Sequence, residues 1–257
     1  MRVLVTRPVE QSTQLVEALG QRGLQVSALP LLKIEPIDPL DGADRQRVQN
    51  LDLFDHLIFV SANAARVGLE RIDEFWPQHP LGPRCWAVGA STAAVLQAAG
   101  LEVTWPEREM NSEGLLALEG LTQVDGQKVL IVRGEGGRQM IAETLQARGA
   151  RVESLCCYRR SAVPHDAGAL RADLARDPVA LILVSSGEGL ALLSGLLQPR
   201  EHTNLARITL LVPSPRVADQ ARELGWQSVV RTENASDPAV ITAVDTWRDA
   251  NPGENGF

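Results

Sequence analysis

Six short stretches of the chain carry groups suited to binding anions, and each comes directly after an apolar burst. They are Thr6-Arg7-Pro8, Ser61-Ala62-Asn63-Ala64, Gly89-Ala90-Ser91-Thr92, Arg133-Gly134-Glu135-Gly136-Gly137-Arg138, Ser185-Ser186-Gly187 and Pro213-Ser214-Pro215-Arg216. Hydroxyls and arginines hold carboxylates or phosphates. Most of these stretches also open a helix, whose first N–H groups and positive dipole end attract the same anions. At any one stretch Ser, Thr and Gly have a blander use as helix caps. Together, beyond the carboxyl ends of strands, they describe a cleft that collects several anionic groups. The single tyrosine, Tyr158, closes the segment Val152–Tyr158. A lone tyrosine serves packing more often than chemistry, but at a strand end its hydroxyl is a candidate donor to such a cleft.

Other chemistries find less support. Gly134–Gln139 follows a strand pattern and precedes a helical one, as a dinucleotide fingerprint does, but its third glycine position is Gln139. Glu153 falls at the start of the next strand pattern, not at the end where a ribose would sit. The segment reads more simply as an Arg-flanked anion loop. No Ser-His-Asp arrangement, HExxH or GxSxG occurs. Cys85, Cys156 and Cys157 form no disulfide framework, since the adjacent pair cannot bridge without strain, and read as core thiols. His56, His79, His165 and His202 are scattered, so no metal site is expected. A net charge of −7 argues against a nucleic-acid partner. Of the 25 basic residues only Lys33 and Lys128 are lysines. Arginine's planar fork suits carboxylates, although a nucleotide bias in the genome would give the same composition. No apolar run approaches the roughly 18 residues of a membrane span, and Met1–Pro8 reads as a strand rather than a signal peptide. A cytosolic protein is expected.

The elements that position these groups repeat. Val3-Leu4-Val5-Thr6-Arg7 matches Val129-Leu130-Ile131-Val132-Arg133 at an offset of 126, which also pairs Glu17 with Glu143, Leu19 with Leu145 and Arg22-Gly23 with Arg148-Gly149. At an offset of 124, Leu57–Ser61 matches Leu181–Ser185. A period this long implies two similar domains rather than a solenoid, and 257 residues accommodate two. Strands buried on both faces are expected at 2–6, 56–60, 85–88, 129–132, 180–184 and 208–212, with weaker ones at 25–29, 101–105, 151–158 and 227–231. Helices fill the gaps: one with Pro8 in its first turn and a Leu15, Ala18, Leu19 stripe, one capped by Ser112, two opened by Ser214-Pro215 and Ser236-Asp237-Pro238. Asn251–Phe257 reads as a disordered tail. The fold class is α/β, with two similar doubly wound parallel-sheet domains.

Several of these features together resemble the uroporphyrinogen-III synthase family. The resemblance rests on Val3–Pro8 followed by Leu19, Gly23 and Pro30, on Phe54-Asp55 with Phe59–Ala64, on Ala87–Thr92 with Gly100, and on Ser112–Leu115. It continues through Val129–Gly134 and Gly149–Val152 to Tyr158-Arg159, spanning about residues 1–245. The second half departs at Pro213–Arg216, where many members carry a Gly-x-Thr-Thr type turn.

The resemblance implies domains interleaved in sequence: 1–34 with 165–250, and 38–157, joined by a two-segment linker near Lys33–Pro39 and Tyr158–Pro164. It implies an enzyme that dehydrates hydroxymethylbilane, a linear tetrapyrrole with eight carboxylates, and closes it to uroporphyrinogen III with the last pyrrole inverted through a spiro intermediate. Such an enzyme is a cofactor-free, metal-free monomer in haem biosynthesis, with no nucleic-acid or membrane partner. Its task is to hold conformers and donate one proton. Tyr158 is then the candidate acid, and Thr6, Arg7, Ser61, Asn63, Ala64, Thr92, Arg133, Ser185 and Ser186 are candidate carboxylate binders. A nicotinamide-dependent oxidoreductase and a non-catalytic two-lobed anion-binding protein are the competing readings. Nucleotide-induced thermal stabilisation would mark the first, and binding without turnover the second.

Overall fold

The computed structural model describes residues 1–137, 139–177, 179–199 and 203–251, so the expected tail beyond Asn251 lies outside the described residues. In chain order the strands are β1 Arg2–Val5, β2 Gln25–Ala28, β3 Leu32–Pro36, β4 His56–Phe59, β5 Arg84–Ala87 and β6 Val103–Thr104. They continue with β7 Lys128–Gly134, β8 Arg151–Ala162, β9 Leu181–Leu183, β10 Thr209–Val212 and β11 Ser228–Arg231. The chain divides into two compact units, Met1–Lys33 with Ser161 onward, and Ile34–Arg160.

The first unit holds a sheet in the order β2-β1-β9-β10-β11, every pair parallel, with Val3 opposite both Val26 and Leu181 and Leu211 opposite Leu183. Side chains alternate between faces along a strand, and both faces are covered. Val3, Val5, Leu181, Leu183 and Leu211 pack with Leu15, Leu19, Val240, Val244 and Trp247. Leu4, Ile182, Leu210 and Val212 pack with Leu190, Leu193, Leu197, Val217 and Trp226. Burial on both faces is why these strands read as unbroken apolar bursts.

The second unit repeats the plan with the order β8-β7-β4-β5-β6 and adds β3 outside β8. Leu57, Phe59, Leu130, Val132 and Leu155 face the helix Ala62–Asp73, whereas Ile58, Trp86, Val129 and Ile131 face Leu115, Ile141 and Leu145. Counted from β1, and from β7 with the count wrapping from β8 back to β4, the two orders are the same, 2-1-3-4-5, with a switch point where the helices change faces. The duplication pairs β1 with β7 and β4 with β9, so it superposes the two switch points.

The crossings between units are strand segments. They fall at Lys33/Ile34 and Arg160/Ser161, inside β3 and β8. Ile37 N–H donates to Cys157 O and Val163 N–H to Leu31 O, each at 2.9 Å, an antiparallel pattern. The polar, proline-bearing stretches satisfy their backbone groups against each other, which apolar patterning does not signal. Two helix starts also differ. Pro8 precedes a 3₁₀ turn, Val9–Gln11, and the α-helix begins at Thr13. Asn111, not Ser112, caps Ser112–Leu116, because its extended backbone lets Oδ1 accept the Gly114 N–H at 2.8 Å.

A fragment of residues 34–160 retains all six strands of one sheet, with β3 and β8 each shortened by two residues, and both covering layers. It is expected to unfold cooperatively in urea, whereas a fragment of 1–125 lacks β7, β8 and β9 and is expected to show no cooperative transition. Circular dichroism during urea titration checks this; cooperativity in 1–125 alone contradicts it.

Candidate active site

In the second unit β7 and β4 lie side by side at the switch point, with His56 opposite Val129 and Phe59 opposite Val132. Beyond their carboxyl ends is a cleft of about 210 Å³, lined by Val60, Ser61, Ser112, Arg133, Tyr158 and Arg160 among others, with Gly134–Gly137 as one wall. Ser61 is the N-cap of the helix Ala62–Asp73: its extended backbone directs Oγ to accept the Ala64 N–H at 3.0 Å. The same Oγ lies 3.2 Å from the Tyr158 hydroxyl. A hydroxyl has one proton and two lone pairs. Having accepted from Ala64 on one lone pair, Ser61 keeps both its own O–H, to give to the phenol oxygen, and a second lone pair, to accept the phenol proton.

Tyr158 reaches this place through a β-bulge. Arg133 pairs with Cys156 but Gly134 with Tyr158, so β8 takes two residues for one of β7 and Cys157 is skipped. In a regular strand Cys157 and Tyr158 would face opposite ways; with the extra residue both join one core cluster. The Cys157 carbonyl is satisfied by Ile37 N–H of the neighbouring chain segment, and Tyr158 O accepts Glu135 N–H at 2.8 Å. The tyrosine is 5% exposed. Its ring lies over Gly134, where a Cβ would stand 2.6 Å from Cζ.

Neighbouring titratable groups serve structure. Burial pushes the Cys157 thiol up to about 12 and the Cys85 thiol up to about 11, so neither is a nucleophile at neutral pH. Buried His56 accepts from Trp86 Nε1 at Nδ1, 2.9 Å, and faces Gln127 Oε1 through Nε2, 2.6 Å, which fixes one neutral tautomer at the amino end of β4. A larger depression, about 260 Å³, lies at that same end of the sheet. Its Arg47 is already held by Glu153 at 2.8 Å and Asp44 at 2.6 Å. The smaller cleft, where strand ends and a helix start converge, is the candidate site.

The model of the family described as uroporphyrinogen-III synthase HemD matches residues 13–242. The chain belongs to the uroporphyrinogen-III synthase family. The relative from Escherichia coli K12 is 36% identical over 250 residues, covering 95% of this chain and all of that protein. The one from Salmonella typhimurium LT2 is 35% identical over the same length and shares. A solved uroporphyrinogen III synthase mutant from the extremely thermophilic bacterium Thermus thermophilus superposes with a TM-score of 0.64 at 21% identity, covering 96% of this chain and 99% of that one. The Helicobacter pylori uroporphyrinogen-III synthetase gives 0.63 at 16% identity, over 96% and 100%. These two establish the fold.

Within the family's fold, the residues singled out from sequence fall into two groups. Ser61, Arg133 and Tyr158 line one cleft, whereas in the first unit Ser186 caps the helix Gly187–Leu197 through Gly189 N–H at 3.1 Å, with half-buried Ser185 before it. Asn63 lies in the first turn after Ser61. The others are committed to the protein itself. Thr6 Oγ1 donates to Leu183 O at 2.8 Å, the Ala64 N–H is spent on the Ser61 cap, and Thr92 is 3% exposed inside its helix. Arg7 pairs with Asp237 and donates to Ala235 O at 2.6 Å. Arg133 is bound by its own loop, to Gly134 O, Gly136 O and Gln139 Oε1, so the loop encloses an arginine where a dinucleotide fingerprint would receive pyrophosphate. Ser112 and Arg160 line the cleft but were not singled out as site residues. Arg160 was findable from strand periodicity, being two residues beyond Tyr158.

Replacing Gly134 by Ala places a methyl against the Tyr158 ring. Overpacking of this kind costs about 1–3 kcal/mol. A fall in the urea midpoint of Gly134→Ala is expected; an unchanged midpoint contradicts the packing described.

Proposed function

We propose that the chain is a uroporphyrinogen-III synthase whose reaction is driven from the cleft at the β4–β7 switch point, with Tyr158 as the proton donor. The observation that carries this assignment is the Ser61–Tyr158 pair, 3.2 Å apart at the meeting of two strand ends and a helix start. The substrate is hydroxymethylbilane. With Ser61 donating to the phenol oxygen, the Tyr158 proton passes to the departing hydroxyl as the C–O bond breaks and water leaves. The pyrrole-stabilised azafulvene cation is attacked by the already substituted carbon of the last ring, giving a spiro intermediate. Its fragmentation and reclosure invert that ring, and the proton released on rearomatisation restores the phenol. Positioning supplies most of the catalysis, because closure at the free carbon gives the uninverted isomer unless the conformer is held.

Carboxylate contacts are assigned to Asn63 and the first-turn amides in the second unit, and to Ser185 and Ser186 in the first, while Ser61 spends its proton on Tyr158 instead of a carboxylate. Thr6, Arg7, Ala64, Thr92 and Arg133 act behind them, shaping the strand-end segments. Arg160 supplies a cation at the cleft wall. No cofactor or metal is assigned a part, and the enzyme is proposed to act as a cytoplasmic monomer without nucleic-acid partners. Among the described residues no helix is long and apolar enough to cross a membrane.

The test is direct. After exhaustive dialysis against chelator, the protein is given hydroxymethylbilane and the uroporphyrin isomer is determined. Type III is expected; type I alone, or dependence on added metal or nucleotide, overturns the proposal. Loss of one general acid costs about 10²–10⁴-fold, and Tyr158→Phe is expected at the lower end because water can substitute as donor. A wild-type rate at wild-type melting temperature returns the proton to solvent.

A further inference from the structure

Arg133 stands where a substrate-binding arginine was expected, yet its recorded donors end on the protein. Nε donates to Gly134 O at 3.3 Å, Nη1 to Gln139 Oε1 at 3.1 Å, and Nη2 to Gly136 O. The residue is 8% exposed. A guanidinium presents its N–H groups in one rigid plane, so the acceptors on Gly134, Gly136 and Gln139 are held in a fixed arrangement around it. Gly136 and Gly137, at φ +71° and +84°, give the backbone the left-handed turn this wrapping needs. The loop in turn touches Tyr158 twice: Glu135 N–H donates to its carbonyl at 2.8 Å, and Gly134 forms the seat of its ring. Arg7, the repeat-equivalent residue, behaves alike in the first unit. It is 6% exposed and fastens the start of the helix Asp237–Ala250 through Asp237 and Ala235 O.

We propose that Arg133 is a positioning residue: it holds the Gly134–Gly137 turn against β8 and thereby fixes the phenol of Tyr158, instead of binding a substrate carboxylate. This rests on the functional reading of the cleft given above. The two roles have opposite kinetic signatures. Losing an arginine that binds substrate uniformly raises KM, and a lysine restores part of the charge. Losing one that aligns the acid lowers kcat with KM nearly unchanged. Lysine does not rescue it, because an ammonium on a flexible stem cannot replace the planar fork. Removal of the aligned group also makes the aligning group irrelevant, so the two losses do not add.

The experiment uses the full chain and compares Arg133→Gln, Arg133→Lys, Gln139→Ala and the double variant Arg133→Gln/Tyr158→Phe. Type III formation gives kcat and KM, and amide hydrogen exchange reports on residues 134–137. For Arg133→Gln we expect kcat to fall on the order of 10–100-fold, the scale of a displaced catalytic group. KM should stay within about twofold of wild type, as for a group that acts on the transition state alone through its partner. We also expect faster exchange in the loop, no rescue by lysine, and a double variant no slower than Tyr158→Phe. A raised KM at unchanged kcat, restored by lysine, overturns the proposal. Should Arg133→Gln not fold, Gln139→Ala keeps the guanidinium and removes one acceptor. Faster loop exchange with a smaller kcat loss then supports the proposal, and no change in either overturns it. If the wild type forms no type III isomer, the functional reading fails. The exchange measurement still decides whether Arg133 holds the loop.

Discussion

One extra residue in β8 sets the geometry of the cleft. A strand presents neighbouring side chains to opposite faces, and the core of the second unit needs Leu155 and Cys157 on the same face as Phe59 and Val132. Without the bulge opposite Arg133/Gly134, satisfying that core would turn Tyr158 away from it. With the bulge, the tyrosine follows Cys157 into the same cluster and its hydroxyl arrives 3.2 Å from Ser61 Oγ. Everything nearby accommodates this local irregularity. Gly134 gives up a side chain to seat the ring, the backbone around Cys157 finds Ile37, and Arg133 fastens the loop above. The break in the ladder is local, while the packing that enforces it extends through the sheet.

The two units show how one plan yields different local chemistry. Their strand orders coincide from β1 and from β7, and each switch point ends in an arginine directed back into protein. In the first unit that arginine meets a carboxylate, Asp237, at a helix start. In the second it meets carbonyls of a glycine loop, and only there does a tyrosine lie alongside. The duplication therefore preserves the fastening while the groups fastened have diverged.

Much of the fold was legible because parallel strands covered on both faces must be apolar throughout. Val129–Val132 and Leu181–Leu183 announce themselves, and the offset repeat pairs them with their counterparts. Illegible were features decided by partners distant in the chain. The Leu155-Cys156-Cys157-Tyr158 run carries no alternation from which a bulge is readable. Lys33 and Pro36 suggest a linker, although β3 finds a partner in the far end of β8. Arg7 and Asp237 are separated by 230 residues, so nothing local distinguishes a fastening arginine from a ligand. The strand-end location proposed for the site rests on the patterning; which of its residues are already hydrogen-bonded within the protein required coordinates.

On the proposed mechanism, the cleft holding Ser61 and Tyr158 receives the reacting end of a linear tetrapyrrole. A crystal structure of the full chain with a slowly reacting hydroxymethylbilane analogue tests this most directly. The account predicts the hydroxymethyl oxygen within hydrogen-bonding distance of the Tyr158 hydroxyl, with Arg133 still bound to Gly136 and Gln139. A tetrapyrrole bound with that oxygen away from Tyr158, or carrying a carboxylate on the Arg133 guanidinium, would contradict it.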